Sequence, residues 1–304
     1  MKKTISFFLF HCKIEKKLSP KTLKAYEADL RQFEEFLQKD DVATIDKEDL
    51  KSYLAVLSKF SARTMKRKVA TLKTFFSFLE FEECIENNPF HKIRVKIKLE
   101  KLLPKILSLT EINSILKWAY TFKKSIPEYN SYTYKEAVRN IAVLELLLAT
   151  GIRVSELCSL RIENIGANFE TIKILGKGNK ERKIPITNAE TIKALKANYN
   201  AFGNGIEESS FFFINRFGNQ LSTQSVRNLV KKYAQKANIK RNITPHVFRH
   251  SFATLLLEED VDIRYIQHFL GHSSINVTQI YAHVNEKKKK ELLTVKNPRN
   301  LVHF

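Results

Sequence analysis

The sequence predicts a mainly α-helical protein of two domains, the second of which also contains a small β-hairpin. Three observations support this fold class. Apolar residues recur at helical spacing along most of the chain, two short strand-like segments flank a turn that contains Gly and Asn, and a basic segment with two prolines precedes a new helix start near residue 108. The length of 304 residues allows two ordinary hydrophobic cores.

We place the first domain, which is predicted to be helical, at residues 1–102. The apolar run ISFFLF at its start is too short for a signal peptide and leads directly into a charged stretch, so it predicts a core-facing helix. Ser19 suits an N-cap and Pro20 suits the first position of the next helix. Further helices are predicted near Asp46–Leu57 and from Ala62 to about Phe81.

The helix predicted from Ala62 carries a basic face beside its apolar stripe. The cations on this face are Arg63, Lys66, Arg67 and Lys73. A solvated face on a bundle helix explains this pattern, and so does a surface that contacts DNA. The positive charge of the whole chain favours the DNA-contacting surface.

A basic connector is predicted between the two domains. The stretch from Asn88 to Ser108 contains two prolines and several lysines and lacks clean periodicity, and we assign the linker itself to residues 103–108. Ser108 and Glu111 then have the spacing of a capping box, which predicts the start of the second domain, residues 109–304. The stretch Tyr120–Lys135 resembles a loop insertion.

The second domain is predicted to mix helices with short strands. A helix from about Lys135 to Thr150 is apolar nearly all round, which predicts a central buried helix that ends at Gly151. The turn GKGNKE separates two predicted strands, and a third is predicted at FFFIN. The three strands are Thr171–Leu175, Arg182–Ile186 and Phe211–Asn215. Further helices are predicted near Val154–Leu160, Ser222–Ala237, Pro245–Glu259, Asp262–Leu270 and Ile275–Val284.

The chain carries a large excess of positive charge. It has 52 Lys and Arg residues against 32 Asp and Glu residues, a formal net charge of +20. Such an excess favours a polyanionic partner: nucleic acid comes first, a membrane surface second, and a solubility device third. No apolar run is long enough to cross a bilayer, which weakens the membrane interpretation. The three cysteines form no CxxC pair, which argues against a disulfide framework or structural zinc and fits the reducing cytoplasm.

Six polar residues at predicted helix ends and turns of the second domain form a cationic, imidazole-rich set with one phenol. They are Arg153, Lys177, His246, Arg249, His272 and Tyr281. Taken one at a time, each has an ordinary structural explanation. Arg153 could pair with Glu156 at the surface, for example, and Tyr281 could be a core aromatic residue. Their combination therefore matters more than any single residue.

The segments that carry these residues resemble the tyrosine recombinase family, and bacterial Xer-type site-specific recombinases most of all. In chain order they read ATGIRVSEL, ILGKGNKERKIPI, TPHVFRHSFAT, FLGHSS and TQIYAHV. The joint signal is specific, because an HxxRH motif is followed by LGH with a tyrosine nine residues beyond that histidine. The resemblance covers essentially the whole chain, and all six positions match.

The resemblance implies a fold and a set of partners. The fold is an N-terminal helical core-DNA-binding domain and a mixed α/β catalytic domain that form a C-shaped clamp on DNA. The partners are duplex DNA with paired half-sites, a tetrameric synapse of this protein or a paralogous recombinase, and a DNA translocase as activator. The activity is the resolution of chromosome or plasmid dimers, at the nucleoid in the cytoplasm. The alternatives are an integrase of a phage or mobile element and, from a different class, a non-catalytic DNA-binding protein on this fold.

The resemblance also implies a role for each residue. Arg153 and Arg249 would bind the non-bridging oxygens of the scissile phosphate, with a further hydrogen bond from His272. His246 would assist proton transfer, Lys177 would protonate the leaving 5′ oxygen, and Tyr281 would attack and form a 3′-phosphotyrosyl bond. Apart from the resemblance, Glu156 lies one helical turn from Arg153 and would orient it, and Arg227 in the predicted helix Ser222–Ala237 is a candidate DNA contact beside the basic face of the first domain. We expect no metal and no cofactor, because the cations already supply the positive charge that a metal would bring.

The basic C-terminal segment Glu286–Phe304 has two interpretations. It could dock on a neighbouring subunit, as the resemblance suggests, or it could be a frayed tail. The sequence does not separate these alternatives.

Overall fold

The computed structural model describes residues 1–98, 106–129, 131–175, 181–259, 261–271, 290 and 293–302. The chain divides into two compact units, Met1–Leu102 and Leu103–Phe304, and each unit has its own hydrophobic core. Within the described ranges, no helix is both long enough and apolar enough to cross a membrane.

The N-terminal unit is helical, as the sequence predicts. Its helices are α1 (Lys2–Ile14), α2 (Pro20–Leu37), α3 (Lys47–Leu57) and α4 (Ala62–Phe81), with short 3-10 turns at Val42–Thr44 and Pro89–Lys92. The predicted start of α2 is confirmed, because the Ser19 hydroxyl accepts a hydrogen bond from the Thr22 backbone N–H at 3.2 Å. The core of this unit combines aliphatic and aromatic side chains, and fully buried rings of Phe8, Phe33, Phe75 and Phe76 meet in it.

The segment 92–98 has a regular alternation of burial, which was not predicted from the sequence. Side chains alternate between half-buried apolar residues and exposed cations, the period of two that an extended chain produces. Ile93, Val95 and Ile97 pack against the core of the N-terminal unit. The prediction that the connector lacks periodicity is therefore wrong for this segment.

The second unit contains the remaining elements. They are α5 (Leu109–Lys124), α6 (Tyr132–Thr150), α7 (Val154–Cys158), β1 (Thr171–Leu175), β2 (Glu181–Pro185), α8 (Ala189–Ser209), α9 (Thr223–Lys236), α10 (Pro245–Glu258) and α11 (Ile263–Leu270), with 3-10 turns at Ile162–Asn164 and Pro298–Leu301. The capping box of Ser108 and Glu111 is confirmed at the start of α5. The predicted helix at Ile275–Val284 lies outside the described residues.

Helix α6 is the central helix of this unit, as predicted. Every residue from Ala137 to Thr150 is buried, and the helix packs against α5, α8 and α10. It ends at Gly151, whose φ of +58° is a left-handed conformation that L side chains rarely adopt. A β-carbon at this position would also lie 2.6 Å from the Phe252 ring and 2.9 Å from Leu270, so the glycine allows α10 and α11 to approach.

The two predicted strands around the GKGNKE turn form an antiparallel pair. Thr171 pairs with Pro185 at one end of the register and Leu175 pairs with Glu181 at the other. The prediction of a third strand at Phe211–Asn215 is wrong, because this segment makes only isolated bridges from Phe211 to Arg161 and from Ile214 to Gln220. Phe212 and Phe213 are both fully buried, so the segment is a core-crossing loop rather than a strand with one inner face.

Helix α8 has no counterpart among the predicted elements. Its sequence contains Gly203 and Gly205, and each glycine weakens a helix by about 1 kcal/mol relative to alanine. Tertiary packing outweighs that cost, since Leu195 and Ile206 are fully buried and α8 packs along α6. The predicted loop insertion at Tyr120–Lys135 is also wrong at both ends, because α5 continues to Lys124 and α6 begins at Tyr132.

The C-terminal segment 293–302 packs into the core of its own unit. Arg299 forms an ion pair with Glu145 of α6, and both side chains are buried. The Arg299 Nη2–Glu145 Oε1 distance is 2.8 Å, and the same carboxylate also accepts hydrogen bonds from Tyr120 and Thr191. The Asn297 side chain donates to the carbonyl of Ala149 at 3.0 Å. The frayed-tail alternative is therefore wrong for residues 293–302, while docking on a neighbouring subunit stays a prediction.

The Arg299–Glu145 pair generates a stability prediction. Arg299→Ala leaves the Glu145 carboxylate buried without its cation, and we expect the free energy of unfolding of the second unit to fall by about 3–5 kcal/mol. The double variant Glu145→Met/Arg299→Met removes both charges at similar volume and should lose much less. Urea unfolding followed by tryptophan fluorescence measures both, because Trp118 lies in this unit. The exposed Lys290→Ala is the control, and a loss for Arg299→Ala no larger than the control's contradicts the prediction.

Candidate active site

Helix α7 holds Arg153 at its N-cap and Glu156 in its first turn. The turn after Gly151 buries Ile152 completely and brings Arg153 to the surface, where its side chain is 34% exposed. The Arg153 guanidinium donates from Nη1 to Glu156 Oε1 at 2.7 Å and from Nη2 to the carbonyl of Gly271 at 2.8 Å. Arg153 is thus fixed between its own helix and the end of α11.

Glu156 is a largely buried carboxylate that binds two arginines. Its side chain is 10% exposed, and Arg182 of β2 donates to Oε1 at 3.1 Å and to Oε2 at 2.7 Å. Burial alone would raise the pKa of Glu156, but the hydrogen bonds and charges of Arg182 and then Arg153 outweigh it and hold that pKa below its usual value. Glu156 is therefore ionised at neutral pH.

Arg249 of α10 binds the ends of two helices. Its Nη1 donates to the carbonyl of Gly151 at 2.7 Å and its Nη2 donates to the carbonyl of Leu270 at 2.6 Å. These carbonyls end α6 and α11, where the helix dipoles favour a cation. Burial, together with the charge of Arg153, lowers the pKa of Arg249 to about 10, so this buried guanidinium still carries its charge at neutral pH.

Helix α11 ends at Gly271, at the end of the helix predicted near Asp262–Leu270. Gly271 has a φ of +61°, and a β-carbon on it would lie 2.8 Å from Nη1 of Arg182. The absence of a side chain therefore lets the Arg182 guanidinium lie against the backbone at the end of α11. His272 follows directly in the sequence but lies outside the described residues.

His246 lies one turn before Arg249 on α10 and has an exposed edge. The protein atoms around it still reduce its hydration, and this desolvation lowers the pKa of His246. The charges of His250, Arg249, Arg227 and Arg153 lower it further. His246 is therefore largely neutral at physiological pH and able to accept a proton.

The structure brings four of the predicted site residues into one electrostatic cluster: Arg153, Glu156, His246 and Arg249. Lys177, His272 and Tyr281 lie outside the described residues. Arg182 is not among the predicted site residues, yet its side chain donates two hydrogen bonds to Glu156 and one to the carbonyl of Phe269. A signal for it exists, because Arg182 and Ile184 alternate on the inward face of β2, where an arginine needs a buried partner.

The predicted DNA-contacting residues lie on two helices, α4 and α9. Arg63, Lys66 and Lys73 are exposed along α4. Arg67 is also exposed, but it pairs with the buried Asp29, which binds Lys68 as well, at 3.0 Å. Arg227 of α9 lies near the active-site cluster, and its charge contributes to the lowered pKa of His246.

The donor chemistry of the cluster suits an anion rather than a metal ion. Among the described residues, no group of three or more His, Cys, Asp or Glu side chains is placed to hold a metal. Each terminal nitrogen of Arg153 and Arg249 carries two N–H groups. In the part of the chain that the structure describes, hydrogen bonds to protein atoms use one N–H group of each of these nitrogens, and the other N–H group can bind a ligand. Two such guanidinium forks match the oxygens of a phosphate group.

Known proteins match the chain along nearly its whole length. The phage integrase family matches residues 105–288, and the N-terminal SAM-like domain of phage integrases matches residues 5–83. A tyrosine recombinase of Agathobacter rectalis is 43% identical over 301 residues, covering 99% of this chain and 98% of the relative. The tyrosine recombinase XerD of Staphylococcus haemolyticus is 33% identical, covering 98% of this chain and 100% of the relative.

Solved structures share the fold. The XerH site-specific recombinase bound to its difH substrate is similar with a TM-score of 0.68 at 25% identity, covering 93% of this chain and 83% of that chain. A lambda integrase dimer bound to a core site has a TM-score of 0.70 at 18% identity, a likeness of fold alone, covering 90% of this chain and 95% of that chain. Because the family match spans most of the chain and the relatives align along almost all of it, the chain belongs to the phage integrase family of tyrosine recombinases, site-specific enzymes that cut and rejoin DNA.

Proposed function

We propose that this recombinase acts as an Xer-type enzyme, resolving chromosome or plasmid dimers at a paired-half-site target. The similarity to XerC and XerD proteins over almost the full chain supports this choice over a mobile-element integrase. The partners are duplex DNA and further recombinase subunits in a tetrameric synapse, with a DNA translocase as activator, in the cytoplasm at the nucleoid. The XerH complex with difH DNA supports the duplex as substrate.

The observation that carries the catalytic proposal is that Arg153 and Arg249 both donate hydrogen bonds to backbone carbonyls at the ends of α6 and α11. In the proposal their remaining N–H groups bind the non-bridging oxygens of the scissile phosphate. Negative charge on these oxygens grows as phosphorus becomes five-coordinate, so preorganised cations lower the barrier. His272 adds a hydrogen bond to the same oxygens, and Glu156 keeps Arg153 in place.

The remaining residues move protons and form the covalent bond. Tyr281 attacks phosphorus and forms a 3′-phosphotyrosyl ester, while the bond to the 5′ oxygen breaks. His246 accepts the phenol proton, since its lowered pKa keeps the imidazole unprotonated at neutral pH, and Lys177 donates a proton to the departing 5′ oxygen. The ester keeps the energy of the phosphodiester, so the released 5′ hydroxyl of a partner strand can attack it and no ATP is needed.

Covalent trapping tests the assignment of the nucleophile. Nicked duplexes drawn from the host genome are mixed with the protein in chelator and without ATP, and the reaction is stopped with SDS. We expect a DNA-linked protein band for the wild type and none for Tyr281→Phe, because only the tyrosine hydroxyl can form the ester. Gel-shift binding by both proteins is the control, and a band that persists in Tyr281→Phe contradicts the assignment.

The pH dependence of cleavage tests His246 as proton acceptor. At sub-saturating DNA the rate reports groups of the free enzyme, so it should fall about tenfold per pH unit below the pKa of His246, which desolvation lowers from its usual value. The sign follows from the role, because protonation at low pH removes the acceptor. His246→Gln should cleave slowly with a flat profile in this range. An acid limb unchanged in His246→Gln assigns the titration to another group.

Salt-dependent binding tests the basic face of α4. Lys66→Ala removes one phosphate contact and should weaken binding of every duplex while reducing the slope of log affinity against log salt by about 1. Arg67→Ala should also lower thermal stability, since Asp29 is 2% exposed and loses one of its cations. The exposed Lys196→Ala on α8 is the control. A slope in Lys66→Ala equal to the control's excludes Lys66 from the DNA surface.

A further inference from the structure

Arg182 is a buried arginine that the catalytic mechanism does not use. Its side chain is only 7% exposed, so it is not placed to bind DNA directly. Burying a guanidinium is costly unless partners surround it, and an apolar residue would fill an inward strand position at lower cost. The contacts of Arg182 therefore indicate what the charge does here.

These contacts join three segments of the second unit. From β2, Arg182 donates two hydrogen bonds to Glu156 of α7, at 3.1 and 2.7 Å, and its Nε donates to the carbonyl of Phe269 in α11 at 3.0 Å. Its guanidinium also lies against Gly271, where a β-carbon would come within 2.8 Å. Of the proposed catalytic residues, Arg153 is the N-cap of α7 and His272 follows Gly271 at the end of α11, while Lys177 comes between β1 and β2 in the sequence.

The two arginines share one carboxylate unequally. Arg182 binds both oxygens of Glu156, whereas the Arg153 side chain binds only Oε1, at 2.7 Å. Two guanidinium groups around one carboxylate leave one positive charge in excess. Because Arg153 is 34% exposed and Arg182 is 7% exposed, the excess charge that reaches solvent is that of Arg153.

Removal of Arg182 would change this balance. Glu156 would then have a single cationic partner, and it would neutralise Arg153 and draw it towards α7. A neutralised Arg153 stabilises the charge on a phosphate less well. The bidentate contact from Arg182 also prevents rotation of the Glu156 carboxylate, which keeps the hydrogen bond to Arg153 in one geometry.

We propose that Arg182 is a positioning residue for DNA cleavage: it engages Glu156 so that the charge of Arg153 remains available to the scissile phosphate. The inference rests on the proposed role of Arg153 as a phosphate ligand. A positioning role differs in its effect from that of a buried ion pair that only stabilises the fold. Loss of a purely stabilising pair would slow cleavage of every substrate equally.

The test compares two nicked suicide substrates in single-turnover cleavage. One carries an ordinary phosphate at the scissile position, and the other carries a methylphosphonate, in which a methyl group replaces one non-bridging oxygen and removes the negative charge. Arg182→Met should cleave the phosphate about 100-fold more slowly than the wild type. On the methylphosphonate the defect should shrink to a few-fold, in parallel with Arg153→Ala, because less charge needs stabilising.

Two further variants separate positioning from folding. The double variant Glu156→Gln/Arg182→Met removes the carboxylate that would neutralise Arg153, so it should cleave the phosphate faster than Arg182→Met alone. Arg139→Met is the matched control, since Arg139 is 4% exposed and bonds to Glu136, Asn140 and the carbonyl of Ile214, away from the site. It should lower thermal stability yet leave the rate ratio between the two substrates unchanged.

The outcomes are distinct. Equal losses of Arg182→Met on both substrates, or a double variant no faster than Arg182→Met, overturn the positioning role. Arg182→Lys keeps the charge but makes a single contact, and it tests the same ratio if the methionine variant does not fold. If the wild type forms no Tyr281-dependent adduct, the proposed function fails and the inference fails with it. If the adduct forms and Arg182→Met behaves like Arg139→Met, the inference alone is wrong.

Discussion

The contact of Arg249 with two helix ends is the interaction on which the active site depends. One guanidinium from α10 binds the last carbonyls of α6 and α11, at 2.7 and 2.6 Å, so three helices meet at one charge. Arg153 follows the first of these ends by two residues, and His272 follows the second by two. The cation that would bind phosphate therefore also determines where the neighbouring phosphate ligands begin. Structural and catalytic demands on this arginine cannot be separated by a single substitution.

Much of this site can be predicted from the sequence, because its residues lie in short motifs with fixed local geometry. A helix that ends at Gly151 or Gly271 places the next residues at its C-terminal end, and HxxRH puts its histidine and arginine on one helix face. Such relations are local and can be read from spacing. Arg182 escapes this kind of reasoning, because its function depends on Glu156 and Phe269, which are distant in sequence. Only the folded chain brings these partners together.

The same difference between local and long-range contacts explains which elements of the fold were predicted correctly and which were not. Helices with a cap and a clear apolar stripe, such as α2, α4 and α5, begin where the sequence places them. Helix α8 was missed because its two glycines oppose a helix locally, while burial against α6 decides the outcome. Phe211–Asn215 has the composition of a strand, yet it has no neighbouring strand to pair with for more than one residue. The place of residues 293–302 in the core likewise depends on Glu145, more than 140 residues earlier in the chain.

Gly151 has a consequence for how this protein can change over generations. A β-carbon there would overlap both Phe252 and Leu270 and would still have to adopt the left-handed φ, so a substitution needs smaller side chains at both positions as well as a strained backbone. The smaller side chains must come first, and they leave a cavity that costs about 2–5 kcal/mol until a later change fills it. Each path from this arrangement to another therefore passes through a less stable ancestor. Substitutions at Gly151, Phe252 and Leu270 should therefore be rare and should occur together. The spacing between α6, α10 and α11 should then be conserved as a unit.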